Sequence, residues 1–432
     1  MYIYLRKFWF LVLVFASFQC YGGNGTPLDP IALYLTWQHS PATTMSVQWI
    51  TTDEVKSNTL EFHAEGDSFW QSAEGSYSPM PGLHHYLIHR LELTGLRPFT
   101  DYKFRTGEDG KIYTFRTMPT DPTIPIRFVV GGDIYHDGID TVIATNRQAA
   151  LTSPMFALVG GDLAYAADRY AFLPIEWPSW MDWMLSGVEF GNKQKMRWIE
   201  WLEAWKETMV TPEGRLIPMV PVIGNHDVNG GFDKTPQDAL IFNALFPFPG
   251  TLGYNHLDFN DNLSIVILNS GHTAPIGGQQ TRWLFETLRN RQNTPHLFAI
   301  YHVPAYPSVR KFSNKMSTSI RRLWVPLFER FGVAAAFEHH DHAYKRTHPL
   351  RGNKVDPTGV LYLGDGAWGP EKTRTPRSPD DVWYLAKTAS RRHFILVTLQ
   401  GNKRTFAAID PRGEEFDQVS SVSAINIDIP IK

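Results

Sequence analysis

Phe156-Ala157-Leu158-Val159-Gly160-Gly161-Asp162 is an apolar run, two glycines and a carboxylate, and it decides how the chain is read. A short apolar run bounded by glycine fits a strand buried on both faces. The same cadence recurs on both sides of it. Ile126 to Val130 leads into Gly131-Gly132-Asp133, and Met219 to Ile223 leads into Gly224-Asn225-His226-Asp227. Leu263 to Leu268 leads into Asn269-Ser270-Gly271-His272, and Leu297 to Ile300 into Tyr301-His302. Val333 to Phe337 leads into Glu338-His339-His340-Asp341-His342. In open α/β sheets, groups at the carboxyl ends of strands meet at one crevice. Endings that each carry Asp, Asn or His therefore predict an α/β body with one polar site.

The residues in front of this body follow a different period. Thr44-Met45-Ser46-Val47-Gln48-Trp49-Ile50-Thr51 alternates, with Met45, Val47 and Trp49 on one face. Tyr86 to Leu93, Asp101 to Arg105 and Tyr113 to Arg116 read as further strands, with a Glu108-Asp109-Gly110-Lys111 turn before the last. Short strands and frequent turns over residues 30–119 predict a small all-β sandwich. His84, His85 and His89 lie here and read as exposed strand histidines rather than metal ligands. Met118-Pro119-Thr120-Asp121-Pro122 is the expected linker. Within the body, Asp168 to Glu207 is an excursion rich in tryptophan. Trp198, Trp201, Leu202 and Trp205 share a helical period and are expected to pack it onto the body. After Arg391, Phe394 to Leu399 and Thr405 to Ile409 flank a Gly401-Asn402 turn and read as added edge strands.

Composition narrows the function. The chain has 432 residues, with Lys+Arg 41 against Asp+Glu 43, so it lacks the basic excess of a dedicated nucleic-acid binder. Cys20 is the single cysteine, which excludes an intrachain disulfide framework. Arg6 and Lys7 precede an apolar run, Phe8 to Phe18, about half the length that crosses a bilayer. Residues 1–22 therefore read as a signal peptide, with the mature protein exported, either secreted or periplasmic, and without a membrane span. An N-terminal anchor helix and a lipid anchor at Cys20 are the alternatives. Asn24-Gly25-Thr26 and Asn262-Leu263-Ser264 fit the glycosylation pattern, which also arises often by chance.

The strand endings supply Asp133, Asp162, Tyr165, Asn225, His302, His340 and His342. Carboxylate, amide oxygen and imidazole suit hard and borderline cations, and a carboxylate can bridge two of them. His340 and His342, if the loop is extended, face opposite sides and suit two neighbouring ions. In order and spacing these blocks resemble the metallophosphoesterase superfamily, and within it the purple acid phosphatases. That family's GDxG, GDxxY, GNH(D/E), strand-end His and GHxH blocks stand here as Gly132-Asp133-Ile134-Tyr135, Gly161-Asp162-Leu163-Ala164-Tyr165, Gly224-Asn225-His226-Asp227, Tyr301-His302 and His339-His340-Asp341-His342. The resemblance implies a four-layer α/β/β/α catalytic domain over residues 124–415, behind a fibronectin type III-like domain over 30–119. It implies a ferric ion on Asp133, Tyr165 and His342, and a zinc, manganese or ferrous ion on Asn225, His302 and His340, with Asp162 bridging. Tyr135 and His339 depart from the family, which usually has glycine at both places. Where the plant enzymes carry an adjacent histidine pair, this chain has Ser308, Arg310 and Lys311.

The expected activity is hydrolysis of phosphate monoesters, of the acid phosphatase type, by in-line attack of a metal-bound hydroxide. The substrate is a phosphorylated small molecule or other phosphoester, with no nucleic-acid specificity. His226 beside Asn225 is the candidate to protonate the leaving oxygen or hold the phosphate, with orientation of a ligand as the alternative role. Arg310 is the candidate phosphate contact, since a guanidinium matches phosphate oxygens. A phosphodiesterase on the same metals, acting on nucleotides or phospholipid head groups, is the nearest alternative. A non-catalytic phospho-ligand binding protein is a further one.

Overall fold

The computed structural model describes residues 29–167, 188–247 and 253–425. Residues 1–22 and Asn24, as well as Trp177, Trp180 and Trp183, lie outside these described residues.

The front of the chain forms two four-stranded sheets. One runs in the order Ala32–Thr36, Met45–Thr52, Leu83–Leu93, Ser76–Met80, and the other Gln71–Glu74, Thr59–Ala64, Asp101–Thr106, Tyr113–Arg116. Alternate side chains of the two sheets, Leu33, Val47 and Trp49 against Leu60, Phe62, Phe104 and Phe115, interdigitate in a shared core. The other face of the first sheet is also buried, because Tyr34 and Ile50 pack on the body. Met45–Thr51 is therefore buried throughout and does not alternate between inside and outside. His84 and His85 are exposed as expected, but His89 is not. Its ring stacks on Trp49 at 5.0 Å, and its nitrogens pair with Thr51 Oγ1 at 2.8 Å and Asn58 Oδ1 at 2.7 Å. Burial lowers its pKa to about 4, so it is a neutral core group.

The body holds a six-stranded and a seven-stranded sheet. In the first, Met219–Pro221, Phe156–Val159 and Ile126–Gly131 are parallel, and Phe394–Gln400, Lys403–Ile409 and Glu415–Val422 continue antiparallel. In the second, Leu263–Ile267, His296–Ile300, Ala335–Glu338 and Leu361–Gly364 form the parallel centre. The inner faces meet through aromatic rings, with Phe128 at 6.1 Å from Phe298 and 6.3 Å from Phe337. Helices Ile139–Leu151 and Val188–Thr208 cover the outer face of the first sheet, and Gln279–Arg289, Lys315–Leu323 and Val325–Phe331 that of the second. The order of layers is thus α/β/β/α. Trp198, Trp201 and Trp205 are buried on one face of Val188–Thr208, so the excursion is anchored where its helical period indicates.

One expectation is corrected. Phe394–Gln400 is not an added edge: Leu396 pairs with Val129 in the interior of the first sheet, and Glu415–Val422 is the edge. An apolar run with valine, isoleucine and leucine on both faces, Phe394-Ile395-Leu396-Val397, suits an interior position.

Candidate metal centre

The parallel strands of both sheets end at one place, and their terminal loops are backbone-zipped there. Asp133, Ile134 and Tyr135 donate their N–H groups to the carbonyls of Gly161, Asp162 and Leu163 at 2.9, 2.9 and 3.0 Å. His339 N donates to His302 O at 2.9 Å in the second sheet. The loops turn sharply. Asp133 (φ 56°), Asp162 (53°), Tyr165 (51°), His340 (80°) and His342 (56°) all occupy the left-handed region that side chains disfavour. Such strain persists only where surrounding contacts over-determine it, and it gathers at functional sites. Close approach requires glycine as well: a Cβ on Gly224 would fall 2.3 Å from Asp162 Oδ1, and one on Gly160 1.9 Å from the His339 ring.

All seven sequence-predicted donors converge, in two groups. In the first, Asp133 Oδ1 lies 2.9 Å from both Tyr165 Oη and His342 Nε2, which are 3.2 Å apart. In the second, His302 Nε2 lies 3.2 Å from Asn225 Oδ1, 3.1 Å from His340 Nδ1 and 3.3 Å from Asp162 Oδ2. The groups adjoin: donor atoms of Asp133, Asp162, His302 and His340 all lie within 4.8 Å of one another, and all four residues are buried. The bend at His340 and His342 replaces the extended alternation expected for that loop, yet the two rings still serve different groups.

The donor set fits a pair of cations. His302 Nδ1 donates to Gly160 O at 2.9 Å, which leaves its Nε2 facing the oxygens of Asn225 and Asp162. Asp162 Oδ1 accepts the His226 N–H at 2.7 Å, but its buried Oδ2 has no hydrogen-bond donor. Lone pairs crowded this way need a positive charge among them. Without a cation, the remedy is a proton. Burial opposes charge on His302, but Asp162 and Asp133 outweigh it and raise its pKa to about 9. Burial also opposes the Asp162 charge, but His302 and His226 hold its carboxyl well below the usual range. The Tyr165 phenol is pushed far up by burial and by Asp133 and Asp162, so a tyrosinate there requires a compensating cation. Burial, His302 and Arg310 keep His340 a neutral imidazole, the form that binds metal.

The remaining predicted residues stand around this centre. The half-buried His226 ring stacks on Tyr165 at 4.6 Å. Arg310 is partly exposed and bonds His340 O and Asp341 Oδ1 through Nη1 alone. Ser308 is buried and bonded to Asp365, and Lys311 is exposed, so of these three it is Arg310 that sits against a donor loop. Tyr135 points away from the donors to Glu200 Oε2 at 2.9 Å. His339 lies beneath the loops, with both ring nitrogens buried and without hydrogen bonds, and burial keeps it neutral with a pKa lowered to about 3.

Residues 126–344, half of the chain, match the family model described as calcineurin-like phosphoesterase. The chain belongs to that family. Residues 30–117 match the family model described as the N-terminal domain of purple acid phosphatase. It is 26% identical to purple acid phosphatase 15 of Arabidopsis thaliana over 350 residues, covering 75% of this chain and 61% of the relative. It is 28% identical to purple acid phosphatase 21 of the same plant over 288 residues, covering 65% and 58%. The chain thus spans about three fifths of these relatives' lengths. Its fold is that of a purple acid phosphatase from yellow lupin seeds, with TM-score 0.69 at 16% identity, over 91% of this chain and 74% of that one.

Sequence reasoning missed several residues that build the site. Asp227 accepts the N–H groups of Asp162, Leu163 and Gly224 at 2.9, 2.8 and 2.9 Å and so locks two donor loops. Its place in the Gly224-Asn225-His226-Asp227 block was the available signal. His136 packs edge-on against Tyr165 at 4.9 Å and His342 at 4.6 Å. Glu338 and Lys345 form a fully buried ion pair at the two ends of the histidine loop. No local pattern pointed to either of these.

Proposed function

We propose that this chain is a dinuclear metal-dependent phosphatase of the acid phosphatase type, acting on phosphate monoesters. The carrying observation is the buried convergence of Asp133, Asp162, His302 and His340 within 4.8 Å. In this reading Asp133, Tyr165 and His342 hold ferric iron. Asn225, His302 and His340 would hold zinc, manganese or ferrous iron, and Asp162, whose buried Oδ2 accepts no hydrogen bond, would be shared by the two ions. Cations bound there acidify water and neutralise charge on phosphoryl oxygens. The protein contributes the rest. Gly160 O fixes the His302 tautomer, Asp227 fixes the loops of Asp162 and Asn225, and the strained turns aim the donors inward. His226, stacked at the rim, protonates the leaving oxygen or holds the phosphate. The free edge of the Arg310 guanidinium takes a phosphate oxygen.

Among the described residues no helix is long and apolar enough to cross a membrane. The charged and apolar start of the sequence supports export as part of the same reading. The test is elemental analysis, a visible spectrum and parallel assays on an aryl phosphate monoester and a diester. Two ions per chain and preferential monoester turnover are expected. Preferential diester turnover would move the assignment to a phosphodiesterase. Tight binding of a phosphorylated ligand by iron- and zinc-loaded protein without turnover would make it a binding protein.

A further inference from the structure

The helix Val188–Thr208 does more than cover the first sheet. Three of its side chains, spaced three residues apart on one face, reach the loops that carry Asp133, Asp162 and Tyr165. Gln194 Nε2 donates to Ala167 O at 2.7 Å. Arg197 Nε donates to Ala164 O at 2.8 Å, and its Nη2 to Tyr135 O. Glu200 Oε2 accepts the Tyr135 hydroxyl at 2.9 Å, and the Arg197 guanidinium lies 3.7 Å over the Tyr135 ring. The backbone ladder between the two loops ends at Tyr135 N and Leu163 O. The next carbonyls along, those of Tyr135 and Ala164, are the two that the Arg197 fork takes. A guanidinium suits this role, because its donors diverge in one plane.

We propose that Arg197 is a positioning residue for the metal centre that acts chiefly on the ion held by Asp133, Tyr165 and His342. The inference rests on the dinuclear reading above. Arg197 bridges the loop two residues beyond Asp133 to the residue just before Tyr165, so both ends of its fork sit beside ligands of that ion, while the other ion is reached only through Asp162 on the same loop. Tyr135, a departure from the family's usual glycine, supplies the ring on which the guanidinium rests.

The experiment compares wild type, Arg197→Ala, Arg197→Lys and Tyr135→Phe, purified as full chains. Each is titrated with iron and zinc and followed by elemental analysis, circular dichroism and visible absorption. Arg197→Ala is expected to weaken one ion by about 10- to 100-fold, the usual effect of losing an outer-shell partner, and the other ion distinctly less. The tyrosinate absorption should shift or weaken in parallel. Arg197→Lys, which keeps a donor but not the fork, should fall between, and Tyr135→Phe should stay near wild type. A folded Arg197→Ala protein with both affinities and the absorption unchanged overturns the proposal, as does equal weakening of both ions. If Arg197→Ala does not fold, a wild-type-like Arg197→Lys overturns it instead. Wild type that holds two ions without the absorption refutes the tyrosinate, while the affinity comparison still judges the positioning role. Wild type that holds fewer than two ions sinks both.

Discussion

Lys345→Met should be among the most destabilising single changes in the body, and its partner change should offset part of the loss. Lys345 Nζ, fully buried, bonds Glu338 Oε2 and Tyr306 O. Glu338 Oε1 also accepts the Tyr301 hydroxyl at 2.6 Å and the Ala305 N–H at 2.7 Å. The pair therefore staples the two ends of the loop bearing His340 and His342 and ties it to the loop of His302. Removing the ammonium strands a carboxylate in the core. Losing one member of a buried pair costs roughly 3–5 kcal/mol, a large part of the 5–15 kcal/mol that typically holds a domain. Replacing both by apolar groups removes the stranded charge, so Lys345→Met with Glu338→Leu should be less destabilised than the two single changes summed. The cost of doing so is the anchoring of Tyr301 and Ala305, which leaves two groups short of an acceptor. Urea unfolding followed by fluorescence measures all four corners of the cycle. A Lys345→Met protein within about 1 kcal/mol of wild type, or a double variant worse than the sum of the singles, would refute the reasoning.

Other consequences are open to simpler assays. Asp162→Ala should leave fewer than two ions per chain, and an active variant with both ions would end the bridging role. Asp227→Ala strands three buried N–H groups at roughly 1–3 kcal/mol each, so most of the stability should go; unchanged urea midpoints would contradict this. The His302 pKa rises from 6.5 to about 9 in the metal-free site, so its stabilising effect is full below pH 6.5 and lost as pH climbs to about 9. Chelator-treated protein should therefore melt at falling temperatures across that window. A flat profile there would show that His302 is not paired with Asp162.

The sequence exposed the site better than the scaffold around it. Asp133, Asp162, Asn225, His302 and His340 were legible because each closes a short apolar run, and strand ends in such sheets converge whatever the connections between them. The side chains that hold these donors were not legible. Asp227 looks like any acid near a turn until three amides are seen to point at it. Arg197 and Glu338 act across distances along the chain that no local period encodes. His89 was misread for a related reason: the first front sheet packs on both faces, and burial of the second face is decided by contact with the body. Phe394 to Leu399 reads from sequence as an added edge strand, whereas the apolar side chains on both of its faces suit the interior place it takes.

That late strand has a bearing on how the protein is made. Val130 pairs with Ile395 across about 265 residues, so the first sheet has no middle until nearly the whole polypeptide exists. At synthesis rates of about 5–20 residues per second, tens of seconds separate the two partners. Protease protection of ribosome-bound chains of increasing length should thus appear abruptly once residues 394–400 have emerged, and a gradual onset would show that the sheet closes without them.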